Sequence, residues 1–225
     1  LTIENATSLT LLASGTYANN GTLSFASAGN LTDLIATGGD VTISGGGTLA
    51  LGNNSNNRIY GSGGADRLVN AGGTIRGSGQ IGVGLLGLVN QGTIKADQAA
   101  ALTINPSAAG VTNTSHLRAE AGATLRLSNG TFTNTTGVIA ALGTGSVVEF
   151  NAATITNGTL TSDAGAALRH TGSSTFNDIT LSFPEFTIFF LPLLGEQCET
   201  CFNRYTQVYG EIWLWNTKNA KLHFF

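Results

Sequence analysis

The residues of this 225-residue chain best equipped for chemistry are few and widely spaced. Its two cysteines stand together as Cys198-Glu199-Thr200-Cys201, with His223 downstream. A structural zinc site would need two further ligands at finger-like spacing, and a redox dithiol would need a helix N-terminus to lower the thiol pKa. Neither context is present, so the pair reads as a coincidence or a local disulfide. Gly61-Ser62-Gly63-Gly64-Ala65-Asp66 is one imperfect copy of the glycine-rich nonapeptide that binds calcium when copies stack. No second copy follows, and the stretch reads as a glycine bend. His116 is expected in a bend without a sequence partner. No Ser/His/Asp arrangement, phosphate loop or HExxH motif is found. No metal site and no cofactor are expected.

One set of polar residues does recur. Thr103, Arg126, Glu149 and Arg169 are separated by 23, 23 and 20 residues. Each is the middle of an apolar–polar–apolar triplet, the period-2 mark of a half-buried strand. Stacked, they form a surface column whose charges alternate plus, minus, plus. The plain reading is an ion ladder contributing at most about a kcal/mol per pair. The catalytic reading is the basic groove of a polysaccharide lyase or hydrolase, which also needs clustered carboxylates. Glu120, Asp163 and Asp178 fall at differing repeat offsets, so no catalytic residue is expected. His170 shares its parity with Ile104, Leu127 and Phe150 and should point inward as a neutral core histidine. The pairs Thr131/Thr133, Thr154/Thr156 and Thr159/Thr161 suggest an ice-binding face, but read against the asparagines they lack one constant offset. That alternative is the weaker one.

The elements that must position these residues are set by a repeated phrase. It reads LVNAGGTIRG at 68–77, LVNQGTIKA at 88–96, VTNTSHLRA at 111–119, FTNTTGVIAA at 132–141, ITNGTLTS at 155–162 and FNDITLS at 176–182. Its asparagines, Asn70, Asn90, Asn113, Asn134, Asn157 and Asn177, are 20, 23, 21, 23 and 20 residues apart. A period of that kind marks a stacked-repeat architecture. Ile75, Ile94, Leu117, Ile139, Leu160 and Ile179 hold matching aliphatic places. Each repeat therefore holds at least two strands and is too short for a crossover helix. The fold expected is all-β: a right-handed, single-stranded parallel β-helix over residues 1–182, with regular coils at 68–182 and looser coils at 1–67. Eight or nine coils would make a rod about 40 Å long. The asparagines would stack as a structural column, amide on amide. The Asn-x-Thr/Ser sequons at Asn5, Asn20, Asn30, Asn113, Asn129, Asn134 and Asn157 read as by-products of the repeat.

Composition agrees. The chain has 31 glycines, three prolines, 10% charged residues and a net charge of −3, which leaves no electrostatic footprint for nucleic acid. No apolar run of about 20 residues is present, so no membrane-spanning segment is expected. The chain begins at Leu1, contains no methionine and opens on a strand-like Leu1-Thr2-Ile3 without a signal peptide, which suggests a piece of a longer array. Residues 183–225 break the pattern: they hold 11 of the 17 aromatic residues and two of the 31 glycines. They read as a non-repeat tail, either an aromatic cap or a non-native end.

The phrases Val89-Asn90-Gln91-Gly92-Thr93-Ile94-Lys95-Ala96 and Gly122-Ala123-Thr124-Leu125-Arg126-Leu127 resemble the repeat regions of large secreted bacterial surface proteins, namely autotransporter passenger domains and filamentous-haemagglutinin-type adhesins. The resemblance covers residues 1–182. It implies export to the outer surface or medium, a non-enzymatic role as stalk or adhesive passenger, and host or environmental glycans or proteins as partners.

Overall fold

The structure, a computed structural model, describes residues 1–183. The short β-branched phrases form strands and the Gly/Asn pairs between them form corners. The first coil runs through Thr2–Glu4, Ser8–Leu12 and Tyr17–Ala18, and Thr22–Ala26 then lies back on Thr2–Glu4. Repetition of this course gives 25 strands in three all-parallel sheets of nine, eight and eight strands. The result is a β-solenoid of about eight turns with no helix among the described residues. We call the sheets face 1 (beginning at Thr2–Glu4), face 2 (Ser8–Leu12) and face 3 (Tyr17–Ala18). Each coil thus holds three strands. The extra one comes from the recurring phrase itself, which turns a corner: Gly87–Asn90 lies on face 3 and Thr93–Ala96 on face 1, with only Gln91-Gly92 between them.

Strand alternation sends one residue in two into the bore. On face 1 the inward column is Leu23, Leu49, Ile75, Ile94, Leu117, Ile139, Leu160 and Leu181, each paired with the next. Leu181, two residues after Ile179, completes this column in register but is exposed on the last described coil. The last repeat matches the one before it residue for residue, from Thr154 on Thr175 to Thr161 on Ser182, so Asp178-Ile179 forms the two-residue corner that Asn157-Gly158 forms one coil earlier. On face 3 Leu68, Leu88, Val111, Phe132, Ile155 and Phe176 stack in the same way. Phe176 meets Phe150 of face 2 edge to face, with ring centroids 5.1 Å apart. Full burial of each such side chain contributes about 1.5–3 kcal/mol, so the core is a line of similar contributions with no single centre. The first coils take longer corners: Thr22, Thr48 and Thr74 pair in turn at 26-residue intervals, whereas Thr93 follows Thr74 after 19.

Among the described residues no helix is long and apolar enough to cross a membrane. Cys198, Cys201, His223 and the rest of the aromatic-rich tail from residue 184 onward lie outside the described residues.

Candidate functional site

Four of the six asparagines of the repeated phrase face the bore, at or next to the ends of their face 3 strands. Asn70, Asn90, Asn113 and Asn134 are all buried. Asn70 donates from Nδ2 to Asn90 Oδ1 at 2.8 Å, Asn90 to Asn113 at 2.7 Å, and Asn113 to Asn134 at 2.6 Å. The second hydrogen on each amide goes to a carbonyl of its own corner: Gly73, Gly92, Ser115 and Gly137 respectively. One amide in a sequence thus joins two coils and closes one corner. The glycine two residues after Asn90 makes room for this, because a Cβ on Gly92 would overlap the Gly73 carbonyl and crowd the Asn70 amide nitrogen.

The ladder has ends. Beneath Asn70 the same place is filled by Ile43. Above Asn134 the register brings Asn157 next, but Asn157 is half-exposed with a left-handed backbone (φ +62°), and no ladder bond reaches it. Asn177 is not in the column. It pairs with Thr156, one residue short, so Asp178 (φ +52°) holds the equivalent place.

Thr103, Arg126, Glu149 and Arg169 are in register on face 2. Glu149 is 4% exposed. Its carboxylate accepts from Arg126 Nε at 2.6 Å, from an Arg169 Nη at 2.8 Å and from the Thr171 hydroxyl at 3.2 Å. Burial alone would raise its pKa, but the two guanidinium groups outweigh it and hold the carboxyl below its ordinary range. Below Thr103 the column continues through Gln80 and Arg58 to Asp33. Arg58 grips Asp33 with two hydrogen bonds, at 2.8 and 2.7 Å, and lies over the Tyr60 ring.

Face 1 carries a second charged chain that the sequence reading missed. Arg76, Lys95 and Arg118 stack in register. Asp97 bridges Arg76 (2.7 Å) and Lys95 (3.7 Å), and Glu120 bridges Lys95 (2.8 Å) and Arg118 (2.6 Å). Arg118 Nε is close to Glu120 but out of line for a hydrogen bond, and Asp97 Oδ1 is buried with no protein partner. The signal was present: each cation follows an aliphatic residue in Thr-Ile-Arg, Thr-Ile-Lys and His-Leu-Arg.

The remaining candidates take structural places. His116 opens the strand His116–Ala119 and is not in a bend; its Nδ1 lies 3.1 Å from the Ser115 hydroxyl. His170 pairs with Phe150 in register, and its Nδ1 is 3.4 Å from the Gly172 carbonyl oxygen. The Asp66 carboxylate accepts from Gly39 N, Ser62 Oγ and Gly63 N, all at 2.9 Å. Its oxygens thus point at donors that staple two corners. Among the described residues no group of three or more His, Cys, Asp or Glu could hold a metal ion. Two of the three threonine pairs do share an offset: Thr131 pairs with Thr154 and Thr133 with Thr156 on face 3, while Thr159 and Thr161 belong to face 1. Of the sequon asparagines, Asn113 and Asn134 are buried in the ladder.

Searches against protein-family models, curated proteins and solved structures each found no match.

Proposed function

We propose that this chain is a non-enzymatic rod, a structural or adhesive passenger or stalk segment of a secreted or surface-displayed protein. The observation that supports this is where the polar groups go. The buried asparagines, the Arg126–Glu149–Arg169 column and the Arg76–Asp97–Lys95–Glu120–Arg118 chain each join one coil to the next, and none converges on a shared cleft. A catalytic group needs an unsatisfied proton donor or acceptor aimed at substrate. Here the carboxylates closest to cations are engaged along the rod axis, and the oxygen among them without a protein partner, Asp97 Oδ1, is buried. The likeness of the repeated phrase to autotransporter passengers and filamentous-haemagglutinin-type adhesins supports an extracellular or outer-surface setting, with glycans or proteins as partners.

A glycan array probed with the full chain tests this reading, run beside an assay for new unsaturated or reducing ends on soluble polysaccharides. Retention of a glycan class without cleavage supports an adhesive rod. Turnover of any polysaccharide would replace it with the lyase or hydrolase reading.

A further inference from the structure

Face 3 carries a two-dimensional array of threonines over its last four coils. Thr112, Thr133 and Thr156 form one outward column, paired in order. Thr131, Thr154 and Thr175 form a second, two residues away along the strands. Coils repeat every ~4.8 Å and residues two apart on a strand lie about 6.6 Å apart, so hydroxyls and methyls recur on a nearly rectangular net. The net is held rigid from behind by Phe132, Ile155 and Phe176, all buried, and threonine is itself stiff at χ1. None of the six hydroxyls makes a hydrogen bond to the protein among the described residues, in contrast to Thr114, Thr136 and Thr171, whose hydroxyls are taken up. No charged side chain stands in either column from Thr112 to Asn177; the nearest ion pair of this face, Asp40–Arg67, has its Arg67 two coils below Thr112.

We propose that this threonine net is a docking face for crystalline water, an ice-binding surface on one side of the rod. The argument is one of complementarity. A partner for this face must be uncharged, flat and repeating, and must offer both donors and acceptors to free hydroxyls while tolerating the methyl between them. A charged surface would find no counter-charge on it, and an irregular protein epitope would not match a net. Ordered water does. The threonine column on face 1 is a poor competitor: Thr48, Thr74 and Thr93 form a single file beside the charged Arg76 and Lys95. This inference goes beyond the stalk reading and holds whether or not the rod is adhesive.

The test is ice-affinity partitioning of the full chain, in which a slowly grown ice hemisphere is compared with the residual liquid. The variants are Thr133→Lys and Thr156→Lys on the net and Thr93→Lys on face 1, each checked for strand content and melting temperature. The expected result is several-fold enrichment of the wild-type chain in ice over a co-frozen inert protein. Thr133→Lys and Thr156→Lys should lose that enrichment, and Thr93→Lys should keep it. Exclusion of the wild-type chain from ice would overturn the proposal, as would equal loss in all three folded variants. Retention on insoluble crystalline polysaccharide, or concentration-dependent dimers that vanish with Thr133→Lys, would instead assign the face to those occupants. Failure of this test leaves the stalk reading intact, because that reading stands on the glycan and cleavage assays.

Discussion

Asn113 sits in the middle of the amide ladder, accepting from Asn90 and donating to Asn134, with no exposure to water. Replacing it by alanine strands the buried Asn134 Oδ1 above and takes from Asn90 Nδ2 its shortest acceptor, leaving that amide the Gly92 and His116 carbonyls. An unsatisfied buried group costs about 1–3 kcal/mol, so Asn113→Ala should destabilise the chain by about 2–4 kcal/mol in urea titration. Asn157→Ala, at the same repeat position but outside the ladder, should change stability by less than about 1 kcal/mol. Equal effects would mean that the ladder carries no special share. Glu149 gives the matching electrostatic prediction. Its folded pKa lies below that of the unfolded chain, so its contribution is complete above roughly pH 5 and is lost as pH falls through the folded value. Glu149→Gln should therefore cost about 1–2 kcal/mol at pH 7, and the gap from wild type should shrink toward pH 3, read from urea midpoints at the two pH values. A gap that widens in acid would contradict this sign.

At the scale of strands and corners, the backbone itself sets limits on substitution. Gly77 has φ +116°, and a Cβ there would overlap the Leu51 carbonyl one coil below. Gly77→Ala must push two coils apart or bend the strand, and should destabilise by about 3 kcal/mol or more, seen as a lowered melting temperature by circular dichroism. The corner Gly82-Val83-Gly84 runs in the opposite direction. Val83 has φ +53°, which is unfavourable for a β-branched residue. Val83→Gly should stabilise by about 1 kcal/mol, and no change in melting temperature would mean that the corner relaxes in solution. Corners also decide what the sequence could show. The period-2 triplets exposed the strands of face 2, because Leu125-Arg126-Leu127 is a complete inward–outward–inward unit. The phrase Leu88 to Ala96 hid two strands behind one asparagine, since a two-residue corner leaves no break in a linear pattern. Asn177 and Ile179 were misplaced for a different reason: the last phrase carries its asparagine one residue early, so Asp178 stands where Asn157 stands one coil below and Ile179 where Gly158 does. The Arg76, Lys95 and Arg118 stack was legible in principle. It went unread because their acid partners, Asp97 and Glu120, follow two residues later, past the strand ends.

On the scale of the whole molecule, the chain divides its polar groups by face. Faces 1 and 2 carry ion chains along the axis, and the upper part of face 3 carries uncharged hydroxyls, all wrapped around one column of aliphatic and aromatic side chains. Everything rests on coils adding one strand spacing at a time. Thr48 and Thr159 are five coil steps apart in the face 1 register, and Thr22 and Thr180 are seven. At ~4.8 Å per step these separations are about 24 and about 34 Å. Pulsed electron–electron resonance between nitroxides at each pair, with Cys198 and Cys201 replaced by serine, measures them directly. The account predicts two narrow distributions whose centres differ by about 10 Å, or two strand spacings. Equal distances, or a shorter one for the outer pair, would show that the strands do not stack in chain order, and would contradict the rod.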